Sequence, residues 1–341
     1  MFNKFIIYKD NLINNVKQVK LNNPNSKICA MVKADAYGVG DKQVVSILND
    51  YIDCYGVACF FEACKIKRYT NKKILIVGAL EHGKLDSKFS YTCHSLKDID
   101  YLIKQNRRFN IHIKINTGMN RFGFNSIKQF KIALNKILNS KLKLEGVFTH
   151  FATGDNFVKT QYNKFNKYIL VLNKYPFKPI IHADNSIVQK TQNHNLDMVR
   201  VGFNLYNLND YKYHSVVEIK SKVVQINRVK SGELVGYNYK FVANRSMEVA
   251  VVPFGYADGL DIRSVGLKLN VKNRLCKILN ICMDCFMLDV TNLNIKKGET
   301  VYILNKLNSL KLFADYLNIS EYQVMINFSK ARADKLVVSA D

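Results

Sequence analysis

The stretch Met31-Val32-Lys33-Ala34-Asp35-Ala36-Tyr37-Gly38-Val39-Gly40 decides the fold, because it joins a buried strand to a helix through a loop that carries a lysine. The apolar run over residues 27–33 predicts the strand, and helical spacing of apolar residues resumes near Asp41. Partial desolvation at the exit of a buried strand lowers the pKa of a lysine amine and makes it nucleophilic. The alternative interpretation is a solvated lysine in an ordinary loop.

Predicted strands and helices alternate regularly up to residue 203. The predicted strands span residues 27–33, 54–59, 73–79, 91–94, 109–115, 145–149, 179–183 and 198–203. The predicted helices span residues 9–22, 41–49, 61–69, 96–105, 126–138, 156–173 and 185–191. Eight such strands in about 200 residues favour a (β/α)₈ TIM barrel over an open sheet. Functional residues are therefore expected at the carboxyl ends of the strands.

The pattern changes after residue 211, where short apolar strands and turns replace the alternation. The strands predicted there span residues 216–229, 247–252, 267–271, 275–290 and 300–304, and two helices are predicted at 309–317 and 320–328. We therefore expect two domains, a barrel over residues 1–212 and a mostly β domain over residues 213–341.

The composition is typical of a folded cytoplasmic protein. A chain of 341 residues that is 48% hydrophobic can bury two cores. No apolar run reaches the length of a membrane span, and residues 1–10 lack the features of a signal peptide. The eight cysteines lie in apolar stretches, as reduced thiols do. Cys282 and Cys285 form a single CxxC pair, which is half of a zinc site, so we expect no metal.

The formal net charge of +24 raises the question of nucleic-acid binding, since clustered basic residues gain affinity by releasing counterions from phosphates. Here the lysines are spread along nearly every predicted element without a basic block. This distribution favours a solvated basic surface and no nucleic-acid or membrane partner. A basic nucleic-acid-binding or regulatory protein remains the alternative from a different class.

Polar side chains follow several predicted strands at positions where an apolar strand end does not need them. They are Lys33, Tyr37, Arg121, His150, Ser186 and Arg200. Because the carboxyl ends of barrel strands share one face, these residues predict a pocket for an anionic aromatic cofactor. The structural alternatives stay open: Ser186 can cap the helix that follows it, and each histidine can be a buried core residue.

These segments resemble the motifs of the alanine racemases, fold-type III enzymes that depend on pyridoxal 5′-phosphate (PLP). The resemblance rests above all on the run from Lys33 to Gly40, on Pro253-Phe254-Gly255-Tyr256-Ala257-Asp258-Gly259 and on Ile281-Cys282-Met283-Asp284. It extends through both expected domains over nearly the whole chain. It implies an isomerase that interconverts L- and D-alanine in the cytoplasm and supplies D-alanine for peptidoglycan of the cell wall.

The resemblance implies a set of cofactor contacts in the barrel. Lys33 would bind PLP covalently through its amine, with Tyr37, Ser186 and the backbone N–H groups of Gly202 and Phe203 around the phosphate. Hydroxyls and backbone donors suit a phosphate dianion.

Arg200 matches the arginine that faces the pyridine nitrogen of PLP. A guanidinium does not give up its proton, so the ring is a weaker electron sink than it is in transaminases. His150 resembles the histidine that hydrogen-bonds this arginine. His182 and Asn185 lie in the equivalent of the family's His-x-x-Asn-Ser run.

A further set of residues matches the family's substrate contacts. Arg121 corresponds to the arginine near the substrate carboxylate, and Lys114 to a lysine that is carbamylated in many members to orient that arginine. Met283 would donate its backbone N–H to the carboxylate. Its neighbours Cys282 and Asp284 belong to the same segment, although a buried-core interpretation of Cys282 and Met283 also holds.

Racemisation requires a second acid/base group opposite Lys33, because one group acting on one face would return the original configuration. Tyr256 is the candidate, and in the family this tyrosine comes from the partner subunit, which implies a homodimer with shared sites. A free tyrosine with a pKa near 10 needs cationic or hydrogen-bonding neighbours, such as the His150–Arg200 pair, to act as a base.

The chain departs from the family pattern at its end. The family's Arg-x-Pro-Arg-x-Tyr run is replaced by Asn327–Leu336, and no tyrosine follows Tyr322. A wider pocket is one consequence, so a racemase for serine or another amino acid remains an alternative, because rejecting one methylene is worth only about 1–3 kcal/mol. A fold-type III decarboxylase is a second alternative function, although the motifs around Tyr256 and Met283 argue against it.

Overall fold

The computed structural model describes residues 2–152, 156–186, 194–206, 213–237 and 241–339. The chain forms two compact units, the first made of residues 16–36 and 44–205 and the second of residues 1–15, 37–43 and 206–341. The chain begins in the second unit with strand β1 (Lys4–Tyr8). None of the helices in these ranges is long and apolar enough to cross a bilayer.

Eight parallel strands close into a barrel in the first unit, in the order of the chain. They are β2 (Lys27–Met31), β3 (Cys54–Val57), β4 (Lys73–Ile76), β5 (Ser90–Cys93), β6 (Asn110–Lys114), β7 (Lys143–Phe148), β8 (Ile180–Asn185) and β9 (Met198–Val201). Strand β9 closes the barrel by pairing with β2, where Arg200 lies opposite Cys29. The (β/α)₈ barrel expected from the sequence is confirmed.

Helices precede or follow the barrel strands along the chain. They are α1 (Lys9–Asn22), α2 (Asp41–Leu48), α3 (Phe60–Lys67), α4 (Leu96–Lys104), α5 (Ile127–Leu138) and α6 (Phe157–Leu172). Helix α4 shows why such segments form: Ser95 and Asp98 make a capping box at its start, while Ile99 and Leu102 are buried on one face. Its exposed residues, Lys97 and Lys104, are charged.

The second unit is built mostly from two sheets. Its strands are β10 (Val217–Lys222), β11 (Gln225–Val229), β12 (Met247–Val252), β13 (Lys268–Val271), β14 (Arg274–Ile281), β15 (Phe286–Asp289), β16 (Thr300–Leu304) and β17 (Lys335–Val338). One sheet has the order β16-β10-β1-β17 and the other β11-β12-β15-β14-β13. Two helices, α7 (Leu310–Leu317) and α8 (Glu321–Phe328), accompany them. The mostly β character expected of this part of the chain is confirmed.

The structure differs from the sequence expectations mainly at strand ends and turns. Strands β1 and β17 were not predicted, and the pairing of β1 with β10 and β17 places the first residues of the chain in the second unit. Two long predicted strands are each divided, one between Lys222 and Gln225 and the other at the Cys282–Cys285 turn. Residues 187–191 of the helix predicted over 185–191 lie outside the described residues.

Candidate active site

Lys33 lies just beyond β2 and opens a turn with an unusual backbone. The four residues that follow it, Ala34 to Tyr37, all have positive φ angles, between 52° and 58°. Left-handed backbone costs an L-residue about 1–2 kcal/mol each, and none of these four is glycine. Such a turn persists only where other contacts hold it.

Glu62, at the start of α3, provides those contacts. One of its carboxylate oxygens accepts the N–H of Ala34 at 2.7 Å, and the other accepts the N–H of Ala58 at 2.7 Å. Lys65 pairs with Asp35 of the turn at 3.0 Å. Glu62 was not predicted from the sequence, because an acidic residue in the first turn of a helix is ordinarily explained by the helix dipole.

The environment of Lys33 makes its amine easier to deprotonate than that of a free lysine. Burial, followed by the positive charge of Arg121, lowers the pKa of Lys33, and the Glu62 carboxylate partly opposes this shift. A larger fraction of the amine is therefore neutral near neutral pH, and a neutral amine is the nucleophilic form.

Lys114 ends strand β6 among several other cations. Its side chain is buried, and burial together with the charges of Arg121, Arg200 and Lys33 lowers its pKa to about 8. Its ammonium lies 5.9 Å from the centre of the Phe148 ring. Arg121, by contrast, is exposed in the segment after β6. A concentration of positive charge therefore lies at this end of the barrel.

Arg200 is buried near the end of β9 and is held by neutral acceptors. Its NH1 group donates to Nδ1 of His182 at 2.6 Å. Its NH2 group donates to the carbonyls of Thr149 at 2.8 Å and Ala183 at 3.0 Å, with Nδ1 of His150 at 3.3 Å. His182 is thus the closer of its two histidine partners. Among the described residues, no acceptor engages the Nε–H of Arg200.

The ionisation of these groups follows from their burial. Burial lowers the pKa of Arg200 to about 10, so the guanidinium stays charged at neutral pH. Burial, followed by the charge of Arg200, lowers the pKa values of both His150 and His182 well below the usual range. Both imidazoles are therefore neutral.

The predicted phosphate contacts lie at the ends of β8 and β9. The N–H of Gly202 donates to Oγ of Ser186 at 3.1 Å, and Asn204 donates to the Ser186 carbonyl at 2.8 Å. Asn185 donates to the carbonyl of Phe151 at 3.2 Å. Phe203 follows Gly202 and begins a single helical turn. The capping of a helix by Ser186 lies outside the described residues.

In the second unit, Tyr37 forms a cluster with two other tyrosines. Its ring centre lies 5.3 Å from that of Tyr206 and 5.6 Å from that of Tyr322. Burial raises the pKa of Tyr322 to about 12, so this phenol is protonated. Helix α8 therefore brings the last tyrosine of the sequence against Tyr37, although the chain lacks the family's terminal tyrosine.

Tyr256 and Met283 occupy adjoining turns of the second unit. The N–H of Tyr256 donates to the Cys282 carbonyl at 3.1 Å, and the N–H of Ala257 donates to the Met283 carbonyl at 3.0 Å. A Cβ atom on Gly255 would lie 2.1 Å from the Met283 carbonyl oxygen, so only glycine permits this approach. Tyr256 and Met283 are 44% and 52% exposed, which leaves both side chains accessible.

Arg332 joins these two turns, and its role was not predicted from the sequence. Its guanidinium donates to both carboxylate oxygens of the buried Asp258, at 2.9 and 2.8 Å, and to Asp284 at 2.7 Å. Burial raises the pKa of Asp258, but hydrogen bonds from Arg332 and from the Gly255 N–H outweigh it and lower the pKa overall. The burial of Asp258, which calls for a cationic partner, becomes apparent only in the structure.

The structure thus gathers the predicted residues into two groups. The barrel carries Lys33, Lys114, Arg121, His150, His182, Asn185, Ser186, Arg200, Gly202 and Phe203. The second unit carries Tyr37, Tyr256, Cys282, Met283 and Asp284. The first group can bind an anion and offers a nucleophilic amine, while the second presents an exposed phenol.

Comparison with known proteins agrees with this arrangement. The family models described as the N-terminal and C-terminal domains of alanine racemase match residues 7–210 and 216–336. The alanine racemase of Lactobacillus gasseri is 32% identical over 93% of this chain and 91% of its own length.

Solved structures agree as well. The alanine racemase of Bacillus anthracis with bound L-Ala-P superposes with a TM-score of 0.91 at 25% identity, over 99% of this chain and 95% of that one. The alanine racemase of Bartonella henselae with covalently bound pyridoxal phosphate has a TM-score of 0.90 over 99% and 100% of the two chains, and at 21% identity it supports the fold alone. The chain belongs to the alanine racemase family.

Proposed function

We propose that Lys33 and Tyr256 are the two acid/base groups of this enzyme and that they act on opposite faces of the substrate Cα. Membership of the family makes the protein an alanine racemase, an isomerase that depends on PLP. The assignment of residues to roles is our inference. The observation that supports it best is the half-buried Lys33 amine with a lowered pKa amid a surplus of positive charge.

The donor set of the barrel fits an anionic aromatic cofactor. Arg200 is charged and buried, and its Nε–H lacks an acceptor among the described residues, so it can donate to a ring nitrogen without protonating it. Ser186 and the Gly202 N–H lie together at the ends of adjacent strands and suit a phosphate. The positive charges of Lys33, Lys114 and Arg121 suit both a phosphate and a carboxylate.

Bound PLP supplies an electron-withdrawing ring that acidifies the Cα–H of an attached amino acid. Arg200 keeps its own proton, which limits this withdrawal and favours return of a proton at Cα. Arg121 holds the substrate carboxylate, as its guanidinium fork permits, and the Met283 backbone N–H adds a second donor. Tyr37 would contact the phosphate, and His150 would help to orient Arg200.

Inversion then needs two groups of opposite protonation state. Lys33 or Tyr256 removes the proton from one face of Cα, and the other returns a proton to the opposite face. After one turnover the two groups have exchanged protonation states, so the reverse reaction starts from the other enantiomer. The lowered pKa of Lys33 suits this exchange, because it brings deprotonation of the amine closer to neutral pH.

The deciding experiment measures deuterium entry at Cα and product chirality when purified protein and PLP are incubated with L-alanine in deuterium oxide. We expect deuterated D-alanine, with L-serine a poorer substrate. Lys33→Ala should abolish exchange from both enantiomers. Tyr256→Phe should allow exchange from one enantiomer with retained configuration, whereas full racemisation by this variant would refute the role of Tyr256. Release of carbon dioxide would indicate a decarboxylase.

We also propose a homodimer in which Tyr256 serves the partner's site, since its side chain and that of Met283 are exposed. Mixing inactive Lys33→Ala with inactive Tyr256→Phe protein tests this. A mixed dimer would contain one site with both native groups, so random exchange of subunits should restore about one quarter of the native activity. If both groups of a site belong to one subunit, the mixture will stay inactive.

The eight cysteines are free thiols, which suits a reducing compartment. We therefore propose that the enzyme works in the cytoplasm and supplies D-alanine for peptidoglycan. The lowered pKa of Lys114 leaves part of its amine neutral, as carbamylation by carbon dioxide requires.

A further inference from the structure

Behind Arg200, the barrel interior contains a row of polar side chains that crosses from one end of the barrel to the other. His182 lies in the middle of β8, His112 in the middle of β6, and Glu145 near the start of β7. All three are buried. Nδ1 of His112 lies 2.9 Å from Nε2 of His182, and Nε2 of His112 lies 3.4 Å from a carboxylate oxygen of Glu145.

The hydrogens in this row have only one consistent arrangement. Arginine donates and never accepts, so Nδ1 of His182 must accept from Arg200. His182 then carries its proton on Nε2 and donates it to Nδ1 of His112. His112 in turn carries its proton on Nε2 and donates to Glu145. A second proton on either imidazole would place two hydrogens between the same pair of nitrogens, so both rings are neutral.

Glu145 is suited to end this row because an ionised carboxylate accepts hydrogen bonds and cannot donate them. Lys73 and Ser90 both donate to its carboxylate. Burial raises the pKa of Glu145, but the hydrogen bonds from His112, Lys73 and Ser90 outweigh it and hold this pKa well below the usual range. Lys73, Ser90, His112 and Glu145 line a cavity of about 330 Å³ at the end of the barrel opposite Lys33.

The surrounding residues are shaped for the row. A Cβ atom on Gly146 would lie 2.2 Å from Nδ1 of His112, so this glycine leaves the space that the imidazole occupies. Phe148 stacks on His182, with ring centres 4.7 Å apart and planes 9° from parallel, and the Arg200 guanidinium lies 4.9 Å from the same ring. These contacts fix the ring planes, while the hydrogen bonds fix which nitrogen carries each proton.

We propose that Glu145 and His112 are positioning residues that set the tautomer of His182 from the far end of the barrel and thereby hold Arg200 in place. This inference rests on the proposed role of Arg200. Without an obligate acceptor at Glu145, His112 can carry its proton on Nδ1 instead. His182 would then have to present Nδ1–H to the Arg200 NH1 group, and two donors would face each other.

The test is the tautomeric state of the histidines in holoenzyme labelled with ¹⁵N-histidine, observed by NMR through the two-bond couplings of the ring nitrogens. In the wild type we expect single Nε2–H tautomers for His112 and His182. Glu145→Gln can present either an oxygen or an NH₂ group, so it should give mixed tautomers, and Glu145→Asp should recover a single one. The control is Asp53→Asn, which removes a carboxylate from the same cavity but outside the row and should leave the histidine signals unchanged.

Steady-state kinetics add a second readout. Glu145→Gln should lower kcat about ten-fold and leave the KM for alanine within about two-fold, because Arg200 does not contact the substrate. Native tautomers and native kcat in Glu145→Gln would overturn the proposal. A wild-type spectrum that shows Nδ1–H or doubly protonated rings for His112 and His182 would also overturn the proposal. This result does not depend on whether any variant folds. If the wild type lacks racemase activity, the proposed function fails, while the spectra still test the row.

Discussion

The geometry of Lys33 depends on a single carboxylate. Glu62 accepts two backbone N–H groups with its two oxygens and also supports the positive charge of Lys33. Glutamine at this position has one acceptor oxygen and no charge, so one N–H loses its partner. We expect Glu62→Gln to lower kcat/KM about ten-fold through misplacement of Lys33.

The pH dependence of the rate of PLP uptake distinguishes an electrostatic effect of Glu62 on Lys33 from a general loss of structure in the variant. In the proposed mechanism, PLP uptake by the apoprotein requires the neutral Lys33 amine, and the Glu62 carboxylate raises the pKa of that amine. The profile of uptake rate should therefore move to lower pH in Glu62→Gln. Glu81→Gln is the matched control, since Glu81 accepts the Phe60 N–H on the same loop without touching the lysine turn. An unchanged profile in Glu62→Gln would contradict the proposed electrostatic role.

At the scale of elements, the turns that carry Tyr256 and Met283 depend on Arg332. The folded-state pKa of Asp258 is lower than its unfolded value of about 3.9, so the pair stabilises the fold at neutral pH. This contribution is fully present above the unfolded pKa and is lost as the pH falls through the folded pKa. Arg332→Met should therefore lower the Tm at pH 7, and its difference from the wild type should shrink below about pH 4.

Arg263→Met is the control for that experiment. Arg263 pairs with Asp261 at 2.7 Å, but its partner is two residues away and the pair is exposed, so its removal should change the Tm little. Equal effects of the two substitutions at every pH would show that Arg332 acts as an ordinary surface charge.

Long elements with a regular spacing of apolar residues could be predicted from the sequence, because that spacing does not depend on distant parts of the chain. Helix α1 has the predicted bounds, residues 9–22, because its apolar spacing is entirely local. Strands β1 and β17 could not be predicted, since each is short and depends on a partner at the other end of the chain. The left-handed turn was missed because Ala34-Asp35-Ala36-Tyr37 contains no glycine to indicate positive φ angles.

The residues of the candidate site also differ in whether local sequence is enough to predict them. Lys33, Arg200 and Tyr256 could be found because they lie in short motifs whose residues are neighbours in sequence. Glu62, Glu145 and Arg332 could not, because their partners are distant in the chain and become apparent only from measured contacts.

At the scale of the whole molecule, the sheet that contains β1 should depend on the last strand. Strand β17 pairs in parallel with β1, and the Lys335 ammonium donates to the Gly38 carbonyl at 2.9 Å. Deleting residues 335–341 should lower the Tm of this unit by an amount on the order of 5 °C and weaken PLP retention. Deleting only residues 340–341, beyond the strand, is the control. A truncated protein with native Tm would show that β17 is dispensable.

The pairing of the first strand with the last also sets the timing of assembly during synthesis. Phe5 pairs with Lys335, so β1 leaves the ribosome roughly 330 residues before its parallel neighbour exists, which is on the order of tens of seconds at ordinary translation rates. Barrel strands can meet as they emerge, whereas the sheet around β1 must wait for the synthesis of β17. Residues 37–43, which follow Lys33, belong to that late unit. A nascent chain therefore contains Lys33 long before β17 is available to complete the unit that holds residues 37–43.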